Sequence, residues 1–251
     1  MVGMGARREV VPSGVGRAVT SRVDDEDRLR IEWPEPDDGE IVLRHAETGE
    51  ERSGTDLTGL AAGMWTVSKH GAPIATDDPG FSLDGMVAYA ARPRDREIRA
   101  FRTPAGTLAL MVREVRPYVE VTRVDPGDGT IEVEGVLAYG EPPVGPVRLV
   151  AAARKGPETD GGAAFSGRRF TGILRIGPMV AGQTRRRVFW DLFVQVGEVR
   201  LALAARLDDV PGKKEKVRFP AQHVDRVRVR PYFTDTDALA VACTVEEGEG
   251  E

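Results

Sequence analysis

Two arginine runs, Arg168-Arg169 and Arg185-Arg186-Arg187, are the residues of this chain best equipped for chemistry. A guanidinium is planar and permanently charged, and its paired N–H donors match phosphate or carboxylate. If the strands carrying Phe170 and Trp190 are neighbours, the two runs gather at one end of a domain as an anion site. The competing reading is solvated charge at strand ends. Asp235-Thr236-Asp237 has the Asp-x-Asp form that can hold a divalent ion beside a diphosphate. Aspartate is equally at home in a hairpin turn, where its side chain bonds nearby backbone, and the turn is the expectation here and at Asp125-Pro126-Gly127-Asp128-Gly129. His45, His70 and His223 are far apart and read as surface or rim residues without metal-ligand spacing. Cys243 lies in an apolar stretch with no basic neighbour, which predicts a buried, inert thiol. Gly-x-Ser-x-Gly, His-Glu-x-x-His and P-loop patterns are absent, and Gly3-Met4-Gly5 lacks both a third glycine and a preceding strand. The expectation is therefore no catalytic residue, no cofactor and no metal.

The elements that position the arginines read as β-structure. In Arg187–Val196 (Arg187-Val188-Phe189-Trp190-Asp191-Leu192-Phe193-Val194-Gln195-Val196), Val188, Trp190, Leu192, Val194 and Val196 recur at period two. Phe189, Asp191, Phe193 and Gln195 fall on the other face, the pattern of a strand inside a packed β-domain. A weaker echo stands at Gly63–Ser68 around Trp65. Further correspondences follow in order. Val119-Glu120-Val121 and Asp128–Val133 match Leu29-Arg30-Ile31 and Asp38–Leu43 at one offset. Ile98–Thr103 and Leu108-Ala109-Leu110 match Val229–Thr234 and Leu239-Ala240-Val241 at another. An ordered set of matches marks a repeat. The expected fold is all-β, two tandem immunoglobulin- or fibronectin-like sandwiches with Trp65 and Trp190 as equivalent core residues. Expected boundaries are a flexible tail over 1–27, a first domain over 28–115, a second over 116–245 and an acidic tail over 246–251. Asp38-Gly39 is expected to close a hairpin, and Lys155–Ala164 to form a glycine-rich loop.

A chain of 251 residues accommodates two such domains, and 41% hydrophobic residues suffice for two cores. The net charge of −5 gives no reason to expect nucleic acid. A single cysteine excludes an intramolecular disulfide and leans toward a reducing compartment. No secretory signal and no long apolar run is visible, so the expected location is the cytoplasm, with peripheral association at the inner membrane face left open.

Arg169-Phe170-Thr171-Gly172, then Trp190–Val194, then Val229-Arg230-Pro231-Tyr232-Phe233-Thr234 before Ala238–Val241, resembles the recurring core of accessory β-domains. Those domains accompany actinobacterial glycosyltransferases and CDP-glycerol glycerophosphotransferases of teichoic-acid-like polymer synthesis. The Gly-Asn pair of that pattern is replaced here by Thr234-Asp235-Thr236-Asp237, and no transferase region is present. The resemblance implies a non-catalytic accessory module with an anionic glycan or a cell-wall polymer transferase as partner. Two alternatives stand beside it: a structural or protein-binding module, and a small transferase or hydrolase with its site between the two domains.

Overall fold

The computed structural model describes residues 16–35, 38–77, 79–80, 82–208, 210 and 212–246. Gly3-Met4-Gly5, most of the expected N-terminal tail and Glu247–Glu251 lie outside the described residues. Strand dominates, as the alternation requires. The described residues divide into two units: those up to Tyr89 with Arg94–Val115, and Ala90–Pro93 with those from Arg116 onward.

The first unit runs β1 (Arg17–Ala18), β2 (Thr20–Val23), β3 (Leu29–Glu32), β4 (Ile41–His45), β5 (Glu51–Ser53), β6 (Gly63–Lys69), β7 (Ala72–Pro73) and β8 (Ala75–Thr76). The helix α1 (Leu83–Ala90) precedes β9 (Arg96–Arg102) and β10 (Leu108–Glu114). Its main sheet has the order β5-β4-β6-β10-β9, with β7 on β6, while β1 pairs with β8 and β2 with β3. Trp65 is fully buried at the centre of this sheet. Its indole N–H donates to the Ala61 carbonyl at 2.9 Å, so the preceding corner is tied to the core residue beneath it.

Three expectations fail in this unit. Residues 17–23, assigned to the flexible tail, form strands; Ala18 and Ser21 are buried, and the Ser21 hydroxyl bonds Thr76 Oγ1 at 3.0 Å. Strands this short carry too few residues to show a period. Asp38-Gly39 closes no hairpin, because β3 pairs with β2 and β4 with β5 and β6. Gly39 answers a close approach instead: a Cβ there would sit 2.2 Å from His70 Nε2. His45 is buried rather than at the rim. Its ring lies edge-on to Trp65 at 5.0 Å, and its Nδ1 accepts the Glu47 and Thr48 amides at 3.2 and 3.1 Å. The 8 residues of α1 are too few for a stable helix alone, and tertiary contacts hold it. The Tyr89 hydroxyl donates to Asp27 Oδ1 at 2.7 Å, and Arg94 lies 3.9 Å over the Tyr89 ring.

The second unit runs β11 (Tyr118–Gly127), β12 (Thr130–Ala138), β13 (Val147–Ala153), β14 (Glu158–Ser166), β15 (Arg169–Arg175), α2 (Gly177–Val180), β16 (Arg187–Val196) and β17 (Val199–Ala204). Then come α3 (Lys213–Lys216), β18 (Gln222–Val224), β19 (Val227–Phe233) and β20 (Leu239–Val245). Its seven strands β13-β14-β15-β12-β11-β17-β16 close on themselves, since β16 also pairs with β13. The strands β20, β19 and β18 extend from β16 in that order. All-β is therefore the class, but this unit is a closed ring with a three-strand extension rather than the two separate sheets of the expected sandwich. The cause lies in β16: β13 takes Trp190–Val196 on one edge, while β20 takes Arg187–Asp191 and β17 takes Phe193–Val196 on the other.

The alternation read from β16 places Trp190, Leu192 and Val194 in the core with Leu149, Phe170, Leu203 and Val241. Asp128 and Gly129 both have positive φ, at 50° and 74°, the two-residue turn that joins β11 to β12. Lys155–Ala164, expected as a loop, is mostly strand β14. Its glycine is steric: a Cβ at Gly161 would lie 2.1 Å from the Ile173 carbonyl oxygen of β15. Glycine in a curved sheet marks a close backbone approach as readily as a loop.

Candidate functional site

The two arginine runs do not meet. Arg169 is level with Ser166 of β14, Gly162 of that strand with Arg148 of β13, and Arg148 with Gln195 of β16. Arg169 therefore lies past the Val196 end of β16, whereas Arg185, Arg186 and Arg187 stand at its opposite end. Phe170 and Trp190 are not on adjacent strands, so the expected single cluster is corrected to two separate places. Arg168 is committed to the fold: its guanidinium donates to the Gly140 and Leu137 carbonyls at 2.8 and 2.7 Å, and burial lowers its pKa. Arg169 is exposed. Arg185 donates to the Lys155 carbonyl at 2.9 Å, and Arg186 is exposed and has interactions of its own.

Arg187 is different, because its register places it on a face that three strands share. Successive residues of a strand point to opposite sides, so the core residues Trp190, Val241, Cys243 and Val229 leave the intervening ones facing outward. Thr244 stands between Arg187 and Arg228. In the next row Ala242 stands between Phe189 and Arg230, and in the third Ala240 stands between Asp191 and Tyr232. The middle strand therefore contributes only small side chains, while long cations and aromatics rise on both sides. The result is a groove floored by Ala242 and Thr244, with Ala240 buried in the third row.

Two adjoining hollows occupy it. One, of about 340 Å³, is lined by Arg187, Phe189, Arg228 and Thr244 among others. The other, of about 620 Å³, lies between α3 and β19 and is lined by Glu215, Val217, Arg218 and Pro231. Lys214, Arg230 and Tyr232 line both. Together five cations and one carboxylate face these hollows, in a chain whose net charge is −5.

The aromatic pair is held from several directions. Phe189 and Tyr232 meet edge-to-face with centroids 6.0 Å apart, and Arg154 and Arg187 stand over Phe189 at 5.3 and 6.0 Å. Arg154 is paired with Asp191 at 2.9 Å, and Lys214 with Asp235 at 2.9 Å. Burial, ahead of its charged neighbours, raises the pKa of Tyr232. Arg187 bonds Thr244 Oγ1 at 3.3 Å. Among the described residues, Arg187, Arg218, Arg228 and Arg230 have no carboxylate within ion-pair distance. Unpaired guanidiniums beside aromatic rings on a small-residue floor can receive anionic groups through charge-assisted hydrogen bonds, with apolar ligand carbons against the rings.

The helix α3 is set beside the groove by a buried cation. Lys213 donates through Nζ to Asp208 Oδ1 at 2.6 Å and to the Val210 carbonyl at 2.9 Å, and its amide reaches Asp237 Oδ1 at 3.1 Å. That anchoring also explains Asp235-Thr236-Asp237. It is a turn, with the Asp237 amide bonded to the Thr234 carbonyl at 3.0 Å and Asp237 at φ 55°. The other unusual ionisable groups serve the fold. Glu120, its pKa raised by burial, accepts the Arg206 and Leu207 amides and the Tyr118 hydroxyl. Cys243 is fully buried in the core, which pushes its thiol up to about 12. Among the described residues no cluster of histidine, cysteine and carboxylate is arranged to hold a metal ion, and no helix is long and apolar enough to cross a membrane.

No family model matches the chain, and no curated protein matches it. Among solved structures, the crystal structure of S. aureus TarS 217-571 superposes with a TM-score of 0.41 at 16% identity, covering 64% of this chain and 50% of that one. The crystal structure of S. aureus TarS gives 0.41 at 15% identity, covering 66% of this chain and 33% of that one. This chain thus spans half or less of the length of these two structures.

Sequence reasoning found Arg187 but missed Arg228, Arg230, Tyr232, Lys214 and Phe189 as its companions. The available signal was the alternation Arg228-x-Arg230-x-Tyr232 facing Ala240-x-Ala242-x-Thr244 in the final hairpin.

Proposed function

We propose that this chain is a non-catalytic binding module whose groove on β16, β20 and β19 takes an anionic glycan or polymer. The observation that carries the reading is the set of guanidiniums of Arg187, Arg228 and Arg230, without a carboxylate partner among the described residues, over the floor of Ala242 and Thr244, beside Phe189 and Tyr232. Exposed guanidiniums attract anions at long range, and their forked donors then fix them locally. The aromatic rings add contact with the apolar carbons of a sugar or polyol. Arg187 keeps its place in the site, while Arg168, Arg169, Arg185 and Arg186 fall outside it. Together with the family resemblance, this favours service to a wall-polymer glycosyl- or glycerophosphotransferase in the cytoplasm, with peripheral association at the inner membrane face left open. The strand register also favours taking the two units as related copies: Trp65 faces Leu110 where Trp190 faces Val241, and the hairpins β9–β10 and β19–β20 share one register.

The test is titration of the chain with dextran sulfate against neutral dextran at low and physiological salt. The reading expects binding to dextran sulfate alone, weakening as salt screens the groove over a Debye length of about 8–10 Å. It also expects loss of binding when Arg187, Arg228 and Arg230 are replaced together by glutamine. Absence of binding at low salt, or equal binding by the variant, overturns it.

A further inference from the structure

We infer, resting on that reading, that the groove is built for a linear ligand carrying several anionic groups and engages two or more of them at once, on either side of a ridge formed by Lys214, Arg230 and Tyr232. These three residues line both hollows. Beyond the ridge on one side stand Arg187 and Arg228, flanking Thr244. Beyond it on the other stands Arg218, carried by the segment that follows α3.

The cations are divided between the two hollows. Arg228 and Arg230 are two residues apart on one strand face, about 7 Å at a rise of ~3.4 Å per residue. Arg187 and Arg228 are two strands apart, about 10 Å at ~4.8 Å per strand. Arg187 and Arg228 line only the first hollow and Arg218 only the second, so a phosphate or sulfate seated in the first leaves Arg218 for a further anionic group. The two sides differ in strength as well. Arg187 and Arg228 have no lining carboxylate, whereas Arg218 shares its hollow with Glu215. A ligand with one anionic cluster therefore settles beside Arg187 and Arg228. A longer one reaches over Tyr232 to Arg218, where tethering raises the effective concentration of its second anion.

The experiment is a length series of heparin oligosaccharides, disaccharide to decasaccharide, titrated into the full chain and three single variants whose melting temperatures are matched to wild type. Affinity should rise with length more steeply than the number of anions, then level off once both hollows are spanned. Arg218→Gln should weaken the long oligosaccharides by about tenfold or more and leave the disaccharide unchanged. Arg187→Gln should weaken every length. Lys216→Gln, an exposed cation of α3 that lines neither hollow, should leave all affinities as they were. Affinity that grows only in proportion to the number of anions, or an Arg218→Gln effect equal at all lengths or absent, overturns the two-hollow inference while the binding function stands. Failure of every length to bind overturns the function itself, and this inference with it.

Discussion

On β6, β10 and β9 of the first unit, Met64, Met111 and Arg99 share one row; on β16, β20 and β19 of the second, Phe189, Ala242 and Arg230 share its counterpart. One step along, Glu97 faces Arg113 in the first unit, and Arg228 faces Thr244 in the second. Each face backs onto a core that holds a buried tryptophan, Trp65 on β6 and Trp190 on β16. The outer faces are not. In the first unit a methionine fills the middle strand, and Arg99 is ion-paired with Glu97 on its own strand. In the second, an alanine empties the middle strand, and the position of that glutamate is taken by an arginine. On the proposed reading, a binding groove on this sheet needs two changes at once: a small floor to make room, and the removal of the carboxylate that would otherwise satisfy the guanidinium.

The largest expected effect tests the likeness of the cores. Trp65→Ala and Trp190→Ala should each cost about 3–5 kcal/mol in denaturant unfolding, because each empties a fully packed site under its sheet. A variant that unfolds like wild type would break the comparison at its base. Next is the charge. Arg228→Glu gives the second unit the glutamate of the first, pairs it with Arg230, and should weaken dextran sulfate binding about tenfold to a hundredfold, the range for losing a charged hydrogen bond of ~1.5–3 kcal/mol. Stability should stay within about 0.5 kcal/mol, since the position is exposed. Filling the floor comes third. Ala242→Met should weaken the same binding about tenfold without altering charge, separating room from electrostatics, with the loss read by calorimetry at one salt concentration. The smallest effect belongs to the first unit: Met111→Ala empties its floor but leaves Arg99 paired, and dextran sulfate affinity should not change.

Much of the architecture was legible because alternation is a local signal. The segment Val188–Val196 announces its two faces residue by residue, and the closing hairpins announce theirs. Glycine misled twice, since Gly39 and Gly161 are required by neighbouring backbone or side chains, not by turns. The ring closure was hidden because no sequence pattern says that β13 will pair with both β14 and β16. The site was hidden for a related reason. Contiguous arginines such as Arg185-Arg186-Arg187 draw the eye, yet neighbours on a strand point opposite ways and cannot serve one surface. The residues that do share a surface are single cations and aromatics on three strands, and only the register brings them together.

The central claim is that an emptied floor and unpaired arginines make the second unit's face a polyanion site where the first unit's is not. The most direct measurement is calorimetric titration of dextran sulfate into the chain carrying Ala242→Met and Arg228→Glu together, which gives the second face the floor and charge of the first. The account predicts an unchanged fold and no measurable binding at a salt concentration where wild type binds clearly. Binding at the wild-type affinity would contradict it.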